Sequence, residues 1–297
     1  MKRNEELLII DGTALLFRMY FAGIEHQSPS GLEVGGVLGT TRAISRLIQT
    51  FKSTHVAIVF DAGQATFRND LYENYKANRG DPPESMKHQF DLVYDACQAL
   101  GCQVFKSVGY EADDLIATLV DKARGVNLSV KMVTDDKDVS QLVCDEEPWV
   151  VQVSDSKKWM WSEDDVKTKF GVLPNQMVDY LSLIGDSSDN IPGVKGIGSK
   201  SASALLGYFG NLTELFERID EIESLPLRGA KSLQSKLEQG REDALLAQRL
   251  VQLKHDVPID WKGIESLLFE GPTHEDRAFF ENLGFTYPYT QLLSFAG

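Results

Sequence analysis

Nine carboxylates stand where short apolar runs end or amphipathic runs begin. They are Asp11 in IIDG, Asp61 in VFDA, Glu111, Asp113 and Asp114 in GYEADD, Asp136 and Asp138 in TDDKD, and Asp186 and Asp189 in GDSSDN. In an α/β protein such positions converge on one end of a parallel sheet. Converged carboxylates repel: two unit charges about 4 Å apart cost roughly 4 kcal/mol at an effective dielectric near 20. A cluster of this density needs positive charge inside it. With oxygen ligands only and no neighbouring His or Cys, the expected species is a hard divalent cation, Mg²⁺ or Mn²⁺.

Taken singly, each motif has a plainer reading. Asp11 or Asp61 could cap a helix. The acids of GYEADD sit at a helix start, where the dipole stabilises each by about 0.3–1 kcal/mol, yet three carboxylates in four residues exceed what a cap requires. TDDKD alone could be a solvated loop, and its Asp135 is an additional acid. Asp186 and Asp189, three apart, share one face if the chain there is a helical turn. The ordered set is what points to metal.

Two further patterns suggest what the metal acts on. GVKGIGSKSA (193–202) is a glycine-rich loop opening an amphipathic helix, and it lacks the Gly-Lys-Ser/Thr order of a nucleotide-binding loop. Gly193, Gly196 and Gly198 let backbone approach a ligand, and Lys195, Ser199 and Lys200 add polar and positive groups, which suits a nucleic-acid backbone. Arg68, Tyr72, Tyr75, Lys76 and Arg79 interleave cations with aromatics, a composition that can hold phosphates and stack bases. A solvated loop with packing tyrosines is the alternative there.

The elements that must position these groups follow from periodicity. Strands are expected at 7–10, 55–60, 102–105, 128–133 and 149–153. Helices are expected at 12–20, 36–52, 87–100 and 112–123. The alternation predicts an α/β fold with a mostly parallel central sheet flanked by helices. The polar stretch from Arg68 to Glu84 interrupts it beside Asp61, as a functional excursion would. After Trp161 the pattern turns helical: Ser162 with Asp165 caps one helix, and Leu173–Pro174 opens another running to Ile184. The expected division is a core over 1–161, with an arch at about 68–90, and a helical part over 162–297 that lends Asp186 and Asp189 to the core.

The totals fit. The chain has 297 residues and a net charge of −14. That charge alone argues against nucleic acid, but the nine acids account for −9 of it, leaving −5. No apolar run is long enough to span a membrane, and the N-terminus is not a secretory signal. Cys97, Cys102 and Cys144 read as reduced thiols of a cytoplasmic protein. None of the five histidines (His26, His55, His88, His255, His274) falls in a motif.

The ordered set IIDG, VFDA, FRNDLYENYKANR, GYEADD, TDDKD and GDSSDNIPGVKGIGSKSA closely resembles the 5′-nuclease family, nearest to the 5′→3′ exonuclease domain of bacterial DNA polymerase I. The likeness runs over about residues 7–290 and carries no polymerase segment, as in a free-standing version. The resemblance implies a PIN-like core with a C-terminal helix–three-turn–helix subdomain. It also implies a structure-specific 5′ nuclease cutting DNA at 5′ flaps, nicks and 5′ ends by two Mg²⁺ ions, in primer removal or repair. By the same likeness the nine acids are metal ligands, Arg18, Arg68 and Lys76 are the basic catalytic residues, Tyr75 stacks on the terminal base, and 193–202 grips duplex DNA and can hold K⁺. Partners would be 5′-ended DNA, with RNA primer–DNA as an option, and the chain a monomer. The alternatives are a PIN-like ribonuclease and a non-catalytic branched-DNA-binding protein. Asp135 stands where polymerase-linked domains more often carry a small residue.

Overall fold

The computed structural model describes residues 3–63, 65–293 and 295. Strand β1 (Asn4–Asp11) lies at the centre of a six-stranded sheet. It is followed by helices α1 (Gly12–Phe21) and α2 (Gly35–Phe51), then β2 (Ser53–Val59). Next come α3 (Phe67–Leu71), α4 (Glu84–Ala99), β3 (Gln103–Phe105), α5 (Ala112–Arg124), β4 (Ser129–Val133), β5 (Val150–Ser154) and β6 (Trp159–Trp161). The order across the sheet is β3-β2-β1-β4-β5-β6. The first five strands pair in parallel, and β6 returns antiparallel on β5.

The chain walks outward from β1 in one direction through β2 and β3, then restarts on the other side with β4. The strand order therefore reverses between β1 and β4. In open α/β sheets ligands bind outside the carboxyl ends of the strands at that reversal. Asp11 closes β1 and Thr134–Asp138 follow β4, so sequence order alone brings these acids to the crevice.

Strand β1 is buried on both faces. Leu7 and Ile9 join one apolar cluster with α5, while Leu8 and Ile10 join the other with α1, α2 and α4. This alternation is the period-two geometry of a strand covered by helices. The helical half consists of α6 (Glu163–Phe170), α7 (Met177–Ile184), α8 (Ser199–Phe209), α9 (Leu212–Glu217), α10 (Ala230–Gln239) and α11 (Arg241–Val251). Its buried side chains, such as Leu181, Leu205 and Leu250, belong to the same cluster as Leu7 and Leu115. The last helices, α12 (Arg277–Asn282) and α13 (Tyr287–Leu293), cross to the opposite face, where Phe280 and Tyr289 pack with Ile44 and Val93. No helix among the described residues is long and apolar enough to cross a membrane.

Three expectations are corrected here. The helix expected at 87–100 begins at Glu84, inside the stretch expected as an arch, with Met86, Gln89 and Val93 buried against the core. Strand β6, with the turn before it, lies in a stretch for which the sequence pattern predicts no element. Asp186 and Asp189 do not share a helical turn. Helix α7 ends at Gly185 (φ 73°), and the two acids are brought together by a loop closed by reciprocal backbone hydrogen bonds between Asp186 and Ile191.

That loop is held by two glycines back to back. A Cβ on Gly193 would lie 2.3 Å from the Gly185 nitrogen and from the Ile184 carbonyl carbon, both backbone atoms. Gly193→Ala is expected to lower stability by about 1–3 kcal/mol through overpacking. Urea unfolding would show it as a lower midpoint at unchanged m-value.

Candidate metal centre

Each acid is set by a rigid element. Asp11 ends β1 and caps α1: its Oδ1 accepts from the Ala14 N–H at 2.9 Å and its Oδ2 from the Thr134 hydroxyl at 3.1 Å. Asp61, two residues past β2, accepts from the Ala112 N–H at 2.8 Å, which ties the ends of β2 and α5 together. Glu111 caps α5, and Asp113 lies in its first turn. Asp136 and Asp138 follow β4, with Asp136 accepting from the Asp138 N–H at 2.9 Å. Ser188 N–H donates to Asp186 at 2.9 Å.

The consequence is a deep negative cluster. Carboxylate oxygens of Asp138, Asp186 and Asp189, all buried, lie within 4.8 Å of one another. The Oδ1 atom of Asp138 is buried and makes no hydrogen bond. A buried anionic oxygen without a donor is costly, and all-oxygen ligands of this kind suit a hard divalent cation. Burial, then the charge of Asp61, pushes the Asp11 carboxyl up to about 7. Burial, then the neighbouring carboxylate of Asp136, raises Asp113 and Asp138 well above the usual range. Burial also raises Asp61 and Asp136.

The chain answers part of this charge itself. Lys76 Nζ donates to Glu111 at 2.7 Å and lies 3.6 Å from Asp189. Arg79 donates to Asp189, and Lys137 to Asp186. Burial opposes the Lys76 and Lys137 charges, but the acids outweigh it and raise both pKa values. Lys76 is a non-glycine residue at φ 55°, a left-handed conformation that costs of order 1 kcal/mol or more. Its backbone N–H donates to the Asp189 carbonyl at 2.9 Å. Asn78 and Asn190 add side-chain hydrogen bonds between the same two segments. Arg79 was noted in the sequence only as part of a mixed stretch, and Lys137 was missed altogether. The signal for Lys137 was its place between two ligand-type acids.

Several expected site residues are engaged by other protein groups. Arg68 is 2% exposed and forms a two-pronged ion pair with Asp114 at 2.7 and 2.8 Å. Its Nε donates to the Leu250 carbonyl at 2.7 Å, and Asp114 accepts from the N–H groups of Glu111 and Lys254. This pair fastens α3, α5 and the end of α11 to one another, with both Asp114 oxygens accepting from donors and the Arg68 guanidinium 3.5 Å from Glu111. Tyr75 is 4% exposed, and its hydroxyl donates to Glu111 at 2.9 Å. That bond fixes the orientation of the Glu111 carboxylate. Burial and the charges of Glu111 and Asp189 raise the Tyr75 pKa, keeping it a donor. Arg18 pairs with Asp155 at 2.9 Å and sits 3.6 Å from Asp135. Asp135 accepts from Ser154 and Ser156 and so belongs to the β5–β6 turn. Lys195 and Lys200 are exposed beside the glycines of 193–198 and make no ion pair among the described residues.

Two outcomes are expected. Arg68→Met leaves Asp114 buried and unpaired and should cost about 3–5 kcal/mol, whereas Arg68→Met with Asp114→Leu should recover much of the loss. Chemical denaturation of the three chains reads this directly. The second concerns pH. A carboxyl raised in the fold, as Asp11 is to about 7, contributes stability that is complete below about pH 4 and lost as pH rises through 7. Asp61, Asp113, Asp136 and Asp138 act with the same sign. A divalent cation replaces those protons, so the rise in Tm on adding Mg²⁺ should be small at pH 5 and large at pH 8. At about 100 times Kd the gain is about 2.7 kcal/mol. An equal rise at both pH values would contradict it.

Comparison with known proteins places the chain as a whole. The model of the 5′-3′ exonuclease N-terminal, resolvase-like domain matches residues 6–171, and that of the 5′-3′ exonuclease C-terminal SAM fold matches 172–275. A 5′-3′ exonuclease of Bacillus subtilis (strain 168) is 37% identical over 261 residues, covering 86% of this chain and 86% of that one. DNA polymerase I of Bacillus caldotenax is 33% identical over 288 residues, which is 95% of this chain but 32% of the relative. The chain thus spans about a third of the polymerase relatives it matches. Among solved structures, the flap endonuclease of bacteriophage T5, in a complex with DNA and metal ions, shares the fold. Its TM-score is 0.67 at 21% identity, with 98% of this chain and 99% of that one covered.

Proposed function

The chain belongs to the 5′-3′ exonuclease family, and from that premise we propose that it hydrolyses DNA phosphodiester bonds at 5′ flaps, nicks and 5′ ends. The observation that carries the reading is the buried trio Asp138, Asp186 and Asp189 with its donorless oxygen, set at the reversal of the strand order. Two Mg²⁺ ions are the cofactor, with Mn²⁺ as a substitute. Asp138, Asp186 and Asp189 form one ligand group, and Glu111, Asp113 and Asp136 the other. When bound, such ions supply Lewis-acid charge to a phosphate and lower the pKa of a water.

The protein's own groups do the positioning. Asp11 and Asp61 spend an oxygen each on the N–H groups of Ala14 and Ala112 and turn the remaining charge toward the cluster. Tyr75 fixes the orientation of Glu111. Lys76 and Arg79 hold the places of positive charge until cations arrive and then neutralise the phosphate that enters. The family likeness supports 193–200 as the grip on duplex DNA, with K⁺ on its carbonyls. It supports residues 1–161 and 162–297 as the two working parts, the second completing the site of the first. The same reading makes the protein a monomer acting in primer removal or repair.

The test is cleavage of a 5′-labelled flap in Mg²⁺, in EDTA, and in Mg²⁺ with Asp113→Ala. Cutting near the junction in the first tube alone is expected, with the variant slower by at least about 100-fold, about 2.7 kcal/mol of barrier. Binding without cutting in all three would make this a non-catalytic branched-DNA-binding protein. Cutting of RNA alone would make it a ribonuclease.

A further inference from the structure

A groove of about 420 Å³ leads away from the acid cluster at Asp186 and Asp189. Its far wall is formed by Lys157, Trp159, Trp161 and Lys169. The two tryptophans point from the same face of β6, and their rings stack at 3.8 Å between centroids and 6° between planes. Trp161 is anchored: its ring meets the edge of Phe170 at 5.7 Å and packs against the main core. Trp159 packs against neither core cluster and rests on Trp161. It is half-buried, with its second face turned from its neighbour. Lys157 and Lys169 are exposed and make no ion pair among the described residues, in a chain of net charge −14.

A plain edge-strand cover would account for Trp161, which closes the core. It does not account for a second indole carried on the first, nor for two unpaired ammonium groups on the same wall. Aromatic faces with adjacent cations are what single-stranded nucleic acid uses, one for bases and the other for phosphates. We propose that this wall is a binding subsite for the single-stranded nucleotides next to the scissile phosphate, with a base stacked on Trp159 and backbone phosphates on Lys157 and Lys169. The inference rests on the nuclease reading and adds to it a surface that places the strand. Trp159 here is a positioning residue.

The experiment measures the half-saturating concentration for flap cleavage by the full chain, with intact substrate and with substrate abasic beside the cut. Trp159→Leu is expected to raise that concentration about 5-fold to 100-fold. The abasic substrate should do the same to the wild type and nothing further to the variant. Retention of the Mg²⁺-dependent rise in Tm shows that the variant is folded. Should Trp159→Leu lose that rise, Lys157→Ala with Lys169→Ala leaves the indoles in place. That pair should reduce the slope of log Kd against log salt by about 1.4, two phosphate contacts on a single strand. Normal cleavage with unchanged half-saturation in Trp159→Leu, or losses that add, would overturn the subsite alone. Absence of both binding and cutting by the wild type would overturn the nuclease reading with it.

Discussion

Mutual repulsion among carboxylates is the constraint to which this fold is built. Strand ends and helix starts carry Asp11, Asp61, Glu111, Asp113, Asp136 and Asp138 to one edge of the sheet, and the loop after α7 adds Asp186 and Asp189. Burial makes the repulsion worse, since water is no longer there to screen it. The chain meets it in three ways. Backbone N–H groups neutralise Asp11 and Asp61 in part. Burial and mutual repulsion raise the pKa values of the most crowded acids, which makes their charge easier to give up. Lys76, Arg79 and Lys137 come in from two different segments. These cations bind segments that share no strand pairing, so the charge of the site is also a part of its scaffold.

The second support is apolar and continuous. The cluster that covers one face of β1 extends through α5 into α7, α8 and α11. The buried Arg68–Asp114 pair sits on that seam and reaches the carbonyls at the end of α11. An ion pair so fully desolvated contributes little net stability. Its geometry is nonetheless specific: Arg68 reaches the Leu250 and Gln252 carbonyls, and Asp114 accepts from the Glu111 and Lys254 N–H groups. Precision at the metal centre thus depends on packing some distance from it.

Much of this was legible in the sequence. The strands at 7–10, 55–60 and 128–133 declare themselves as apolar runs, and acids at their ends have few places to go in a parallel sheet. What escaped was anything decided by tertiary partners. Arg68 and Tyr75 sit in a polar stretch rich in Lys, Asn and Glu, and nothing local says that Arg68 has a carboxylate waiting 46 residues on. The spacing of Asp186 and Asp189 suits a helical turn, and only the meeting of Gly185 with Gly193 forces a loop instead. Strand β6 is three residues long, too short for any period to show. Lys137 was hidden by its neighbours, since a lysine among aspartates reads as solvation until the fold aims it at Asp186.

The bond between Tyr75 and Asp189 spans 114 residues of chain. Proteins emerge from the ribosome N-terminus first and begin to fold as they emerge. The strands β1 to β5 and most of the acids can therefore assemble while Asp186 and Asp189 are still unmade. Through that interval the acid cluster is incomplete and Lys76 and Arg79 lack one of their anchors. The acid cluster is complete only when synthesis has passed the loop after α7.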